Sequence, residues 1–425
     1  MDHFFWYCIV QCYIFDEGWV CPGFWCSSFR LYTFLPLHFY TSHFPYLRAM
    51  RIAVNTRLLL ANRMEGIGRF THEVAQRLVA RRPADEFIFL FDRPFDDRYV
   101  YSPQVRPLVV PPPARHPLLW YLWFEAAVPY VLGRQRADVF LSMDGYCALR
   151  TTVPTVLVTH DIAHVHYPDQ IPGLARQYYD YFVPRYLKKA DQIVTVSEFC
   201  RQDIHQHYHL PLDKISVAGN AVAPAFRPFS VAEQALTRQC YSAGAPYFFY
   251  LGAVHPRKNL PRLIAAFDRF KTASGAAVKL LVGGRFAWQT GAVQAAYDAA
   301  AYRSDIHFLG YVPDEELPAL VGAALALTYV SLFEGFGVPV LEALHAEVPV
   351  LTSDRSSLPE VAGPAALLVD PENVSAIAQG LHRLYLEPEL RAQLVEKGRQ
   401  QRAQFTWEKA TDVVEAALIK VTAGG

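Results

Sequence analysis
The sequence predicts an α/β protein built of two doubly wound, Rossmann-like domains that face a central cleft. Three observations carry this. Short apolar runs that end in glycine or small polar residues, each followed by helical spacing, recur from Met50 onward. A proline-bearing loop, GNAVAPAFRP at 219–228, interrupts that alternation about halfway. The side chains best suited to chemistry, His160, Arg257, Lys258 and Glu334, stand just beyond apolar runs. In open α/β sheets, ligands bind beyond the carboxyl ends of the strands.

The chain has 425 residues, enough for two or three domains, and its 40 basic and 40 acidic residues cancel. With no basic excess or basic run, nothing speaks for nucleic-acid binding. An acidic substrate has to be held by local charge.

Residues 1–49 differ from the rest. They hold Cys8, Cys12, Cys21 and Cys26 of the seven cysteines, and about a third of them are aromatic. The apolar run from Phe4 to Phe15 falls short of the roughly 20 residues that a spanning helix needs. The Met-Asp-His start lacks the positive charge of a secretory leader. We expect this stretch to lie outside the fold, with the working chain starting at Met50. A membrane-surface anchor and a disulfide or metal module are the alternatives. Cys147, Cys200 and Cys240 lie far apart in the remainder, which fits a reducing, cytoplasmic setting.

The first domain is expected over 50–228. Ile52 to Val54 forms a short strand, and Phe70, Val74, Leu78 and Val79 follow at helical spacing. Gly66 and Gly68 sit where that helix begins, either as a plain turn or as a loop whose amides face a ligand. EFIFLFDRPF is the next strand. The segment 111–136 is proline-rich and then aromatic, a loop and helix on the cleft wall or the surface. ADVFLSMDGY is a strand ending at Ser142 to Gly145, and PTVLVTHDIAHVHYP is one ending at His160 and Asp161. His164 and His166 invite a metal reading with His160, but no clear carboxylate completes the set. ADQIVTVSEFCRQDI gives a strand and a helix with Ser197 as its N-cap.

The second domain is expected over 229–405. Phe248 to Leu251 is a strand ending at Gly252, with Arg257 and Lys258 in the loop and a helix from about Asn259. Two adjacent cations there suit a diphosphate, Arg in bidentate fashion and Lys as a point charge. KLLVGGR is a strand and turn. DIHFLGYVPDEELPALV is a strand, a turn at Gly310, Tyr311 and Val312, and a helix. ALALTYVSLFEG leads through a glycine-rich loop into a short helix from Pro339 to about Ala346, since proline is tolerated in a first helical turn. Its amides suit a phosphate or a nucleotide oxygen. Glu334 and Glu342, eight residues apart, can both face one cleft and accept hydrogen bonds from paired hydroxyls. FTWEKATDVVEAAL, within 406–425, is a terminal helix.

The E-x7-E within EGFGVPVLEAL and the G-x-x-x-x-R-K-N from Gly252 to Asn259 resemble the retaining glycosyltransferases of family 4. The likeness runs over nearly all of residues 50–420. It implies the GT-B fold, with the terminal helix crossing back to the first domain. It also implies transfer of a sugar from a nucleotide diphosphate donor to an acceptor hydroxyl with retention of configuration. In that resemblance Arg257 and Lys258 neutralise the diphosphate in the loop after Gly252, and Glu342 holds the ribose. Glu334 and the amides of Gly335, Phe336, Gly337 and Val338 hold sugar hydroxyls. Tyr311 and Val312 meet the base, His160 touches the transferred sugar, and Gly66 and Gly68 face phosphate or acceptor.

No cofactor or bound metal is implied. The NTRLL, LFDRPF and SMDGY stretches look like bacterial mannosyltransferase-type members. GDP-mannose is thus the first donor expected, with a UDP-sugar behind it, and the acceptor is a glycan or a lipid-linked sugar. The setting implied is the cytoplasm, with peripheral contact at the inner face of the cell membrane. A non-catalytic nucleotide-sugar-binding subunit and a GT-B sugar-nucleotide epimerase are the alternatives. A nicotinamide-linked dehydrogenase is disfavoured, because no G-x-G-x-x-G follows the first strand.

Overall fold
A computed structural model of the chain describes residues 49–60, 64–285 and 291–423. The expectations for residues 1–48 lie outside the described residues.

The first sheet holds strands β1 (Arg51–Asn55), β2 (Glu86–Phe91), β3 (Val105–Val109), β4 (Val139–Ser142), β5 (Thr155–Val158), β6 (Gln192–Thr195) and β7 (Ile215–Val217). They are parallel throughout, in the order β3-β2-β1-β4-β5-β6-β7. The second holds β8 (Tyr247–Leu251), β9 (Lys279–Gly283), β10 (Ile306–Gly310), β11 (Ala326–Tyr329), β12 (Val350–Ser353) and β13 (Ala366–Val369), also parallel, in the order β10-β9-β8-β11-β12-β13. This is the GT-B architecture. Helices cover both faces, so the central strands are apolar on both sides, as in Phe-Ile-Phe-Leu-Phe of β2 and Val-Phe-Leu of β4. Strand order reverses between β1 and β4 and again between β8 and β11, and those reversals open the ligand crevices of such sheets.

The helix Gly66–Arg81 buries Phe70, Val74 and Leu78 on one face. The last helix, Trp407–Ala423, lies along it and against β4 to β7, so the chain ends on the first sheet after completing the second. Arg77 pairs with Glu408 at 3.1 Å and Arg82 with Glu415 at 3.2 Å along that seam, while Trp407 meets Phe70 edge-on. Among the described residues no helix is long and apolar enough to cross a membrane.

The structure adds elements that the pattern of residues did not predict. β3 carries Pro107, which is tolerated because β3 is an edge strand. The helix Gly173–Lys189 contains Pro184, and the helix Val231–Ser242 starts at a capping box between Ser230 and Glu233. Arg257 and Lys258 lie in the connection between β8 and the helix Leu260–Ser274, where Pro256–Lys258 form a 3-10 turn. The His255 ring accepts from the Arg257 amide at 3.3 Å, and the Leu332 amide donates to the Arg257 carbonyl at 2.9 Å, which closes the turn.

Two glycines at the start of the first helix have different surroundings. A Cβ on Gly68 would stand 2.7 Å from the Leu58 carbonyl oxygen, whereas one on Gly66 would meet nothing within 4 Å. Gly68→Ala should therefore lower the melting temperature while Gly66→Ala leaves it unchanged or slightly raised. Equal melting of the two variants would remove the packing reason for Gly68.

Candidate active site
The end of β8 and the end of β11 bring three side chains together. Lys258 Nζ donates to Glu334 Oε1 at 2.6 Å and to the Tyr329 hydroxyl at 2.8 Å. Both charged groups are buried. Burial raises the affinity of Glu334 for its proton, yet Lys258 and Arg257 together outweigh it and hold the carboxyl below its usual range. Burial, and Arg257 next door, lower Lys258. Glu334 is thus an ionised partner for Lys258, whose ammonium form has three N–H donors. Two are used here, which leaves one for an oxygen in the cleft.

The loop that follows Glu334 has its carbonyls tied down by serines. The Ser357 hydroxyl lies 2.9 Å from the carbonyl oxygens of both Glu334 and Phe336, and Ser197 Oγ donates to the Gly335 carbonyl at 2.7 Å. The Glu334 amide donates to Ser356 Oγ. Among the described residues the amides of Gly335, Phe336 and Gly337 have no acceptor. Gly337 is the N-cap of the helix Val338–His345 with φ of 96°, a conformation that favours glycine. A chain with its acceptors occupied and its donors free is a cradle for hydroxyl or phosphate oxygens. The Phe336 ring points elsewhere, packing edge-on against Phe405.

The first domain touches this loop directly. A Cβ on Gly335 would lie 2.4 Å from the His160 carbonyl oxygen and 2.9 Å from Asp161 Cβ. Asp161 Oδ2 is 3.6 Å from Arg257 Nη1, within ion-pair range but beyond a hydrogen bond, and that buried nitrogen has no hydrogen-bond partner among the described residues. His160 Nε2 lies 3.0 Å from the Met143 carbonyl and must donate to it, since a carbonyl only accepts. Burial lowers its basicity, so the ring is neutral and Nδ1 carries the lone pair. Beneath it Arg57 and Asp144 form a buried pair, with Arg57 stacked 4.4 Å from the centre of the Tyr146 ring. Farther along, Glu360 accepts from the amides of Glu198 and Phe199 at 2.9 and 3.1 Å, capping a helix of the other domain.

Arg257, Lys258 and Glu334 thus share one cluster, and the His160 backbone lies against the loop that follows Glu334. Glu342 stands apart from it, buried, with Arg69 and Asp314 as its charged neighbours. Arg69 of the first domain pairs with Asp314 of the second. Gly252 has φ of 151° and its carbonyl oxygen lies where a Cβ of Gly284 would fall, so the two strand ends touch through glycines. Tyr311 is exposed, while Val312 is buried against Gly283, leaving only its backbone for a ligand. His164 and His166 turn away from His160, to Tyr208 and Asp203. Among the described residues no group of three or more His, Cys, Asp or Glu could hold a metal ion. Sequence reasoning missed Asp161, Ser356, Ser357, Arg69 and the Arg57–Asp144 pair. A serine pair ahead of Leu-Pro-Glu, and an aspartate directly after the strand-end histidine, were the signals available.

Residues 64–226 match the family model described as Glycosyltransferase Family 4, and residues 241–401 match the one described as Glycosyl transferases group 1. Over 362 residues the chain is 30% identical to the O-antigen chain mannosyltransferase B of Escherichia coli, covering 82% of this chain and 94% of that protein. It is 28% identical over 265 residues to the O-antigen chain mannosyltransferase RfbU of Salmonella typhimurium, covering 60% of this chain and 68% of the relative. The crystal structure of WaaG, a glycosyltransferase involved in lipopolysaccharide biosynthesis, matches with a TM-score of 0.69 at 17% identity, over 88% of this chain and 100% of that one. That likeness is one of fold.

Burial pushes the Glu342 carboxyl from its ordinary 4.5 up to about 7, with Arg69 opposing and Asp314 adding to the shift. Between those values the folded chain holds a proton that the unfolded chain has lost, so stability falls as pH rises, by at most about 1.4 kcal/mol per pH unit. Relative to Glu342→Gln, the wild type should lose stability to denaturant from about pH 4.5 to 7. A pH-independent difference between the two would contradict this.

Proposed function
The chain belongs to glycosyltransferase family 4, and on that premise we propose that this enzyme transfers a mannosyl residue from GDP-mannose to a hydroxyl of a growing glycan. The observation that carries the site reading is the Lys258–Glu334 pair with Arg257 Nη1 beside it, ion-paired with Asp161 but without a hydrogen bond. The mannosyltransferase names of the two relatives support the sugar. A UDP-sugar is the second donor choice, and a lipid-linked glycan at the inner face of the cell membrane is the acceptor in this reading.

In the proposed mechanism Arg257 and the remaining N–H of Lys258 bind the diphosphate. Their charge matters most as the sugar–oxygen bond breaks and the leaving group gains negative charge. They do the work that a divalent cation does elsewhere, so chelation should leave the rate unchanged. Glu334 and the free amides of Gly335 to Gly337 hold the sugar hydroxyls. His160 Nδ1 accepts from a hydroxyl of the same ring, with Met143 fixing its tautomer. Glu342 accepts from the ribose hydroxyls, and ionises as they bind. Tyr311 and the Val312 backbone meet the base. No side chain here is an evident covalent nucleophile. The donor phosphate therefore takes the acceptor proton on the face from which it leaves, which retains the anomeric configuration. A non-catalytic binding subunit would have no need to keep all of Arg257, Lys258 and Glu334, and an epimerase would need further carboxylates.

The test is nucleotide release with GDP-mannose, UDP-glucose and other donors, with the product anomer read by proton NMR. Glu334→Ala and Lys258→Ala should each lower turnover at least tenfold, the size of about 1.4 kcal/mol. Removing one partner of a buried pair also destabilises by about 3–5 kcal/mol, so Arg257→Gln is the variant to measure alongside, with folding checked by circular dichroism. Wild-type rates in all three, or an inverted anomer, would overturn the site or the stereochemical course respectively.

A further inference from the structure
The first domain carries a cavity that the mechanism does not use. Its volume is about 240 Å³, below the ~300–1,000 Å³ of sites for drug-sized ligands. That is room for one ring rather than a nucleotide. His164, Arg176, Asp180, His207 and Tyr208 are the polar residues of its lining, and Val165, Pro168 and Pro184 the apolar ones. Hydroxyl-bearing rings are held in this way, with C–H faces on apolar side chains and hydroxyls on carboxylate, phenol and imidazole.

The cavity is linked to the site by one short stretch of chain. Asp161 lies against Gly335 and Arg257. Three residues on, in the helix Ala163–His166, His164 lines the cavity with Nε2 3.2 Å from the Tyr208 hydroxyl. Consecutive Cα atoms are 3.80 Å apart, so Asp161 and His164 are at most about 11 Å from each other. His166 closes the other side of this helix, its ring 5.0 Å from that of Phe333, the residue before Glu334, and its Nε2 2.9 Å from Asp203. Burial lowers the basicity of His164, so it meets a ligand as a neutral ring. Arg176 lies 3.7 Å from Asp180 and 3.4 Å from Asp169, at the exposed mouth.

We infer that this cavity binds a sugar unit of the acceptor glycan that lies one or more rings behind the hydroxyl that reacts. The inference rests on the reading of the chain as a glycan-extending transferase, and it adds a subsite that measures acceptor length. A glycan whose end sits by Asp161 runs along the Asp161–His166 segment and places a later ring between the two prolines. Asp180 and Tyr208 then choose which hydroxyl pattern fits.

The experiment compares an α-linked mannose tetrasaccharide with methyl α-mannoside on the full chain, without donor, by titration calorimetry. The wild type should bind the tetrasaccharide at least about tenfold more tightly, and Asp180→Asn and Tyr208→Phe should each reduce that advantage to about twofold or less. Release of GDP from GDP-mannose in water should be unchanged in both variants. Equal affinity for the two glycans in the wild type, or variants that keep the full advantage, would overturn the subsite. A length preference that the variants lose, in a protein that releases no nucleotide from any donor, would support the cavity and defeat the donor assignment.

Discussion
Gly335 lacks a side chain, and the two sheets can meet because of it. Any Cβ there would collide with the His160 carbonyl and with Asp161. The contact it permits brings Asp161 to Arg257, lets Ser197 reach the Gly335 carbonyl, and sets His160 beside the cradle of free amides. Each half of the site is incomplete without the other. The cations and carboxylates come from the second domain, and the strand-end histidine comes from the first. Ser197 serves both at once, since its oxygen accepts from the Cys200 amide as an N-cap and its hydroxyl donates across the cleft.

The two glutamates of the eight-residue motif are chemically distinct because their neighbours differ. Glu334 sits against an ammonium and a guanidinium and stays ionised. Glu342 is buried with one cation and one further carboxylate nearby, and its proton affinity rises to about 7. Environments that push two acids apart in this way assign them different tasks. An ionised Glu334 anchors Lys258 permanently. Glu342 is the one whose carboxyl, pushed up to about 7, changes charge near neutral pH.

Most of the framework was legible in the residues, because buried parallel strands read as apolar runs with a functional residue at the end. The strands through Ile52 to Val54, Phe248 to Leu251 and the run before Glu334 fall where such runs stand, and the helix after Gly337 starts and ends within one residue of the expected bounds. β3 was not legible, since Pro107 argues against a strand unless its place at the edge is known. The helix through Pro184 was hidden for a similar reason. At the site, the residues next to a motif in sequence were readable and their partners were not. Nothing in the chain links Asp161 to Arg257, Arg69 to Asp314 or Ser357 to two carbonyls, because those pairings arise only when the strands are laid in order. The Ala163–His166 helix was likewise unreadable, a single turn after an apolar strand.

Glu360 caps the amides of Glu198 and Phe199 from the opposite domain. Most helices are capped by their own neighbours in sequence, and such caps survive rigid-body motion. This one does not. If the domains part, the two amides and the carboxylate each return to water, and the net worth of charged hydrogen bonds, about 1.5–3 kcal/mol each, is lost together with the Ser197–Gly335 and Arg69–Asp314 contacts. Such a clasp makes the start of the helix Glu198–Tyr208 answerable to the second domain, so the hydrogen bonds of these two amides report whether the domains are in contact.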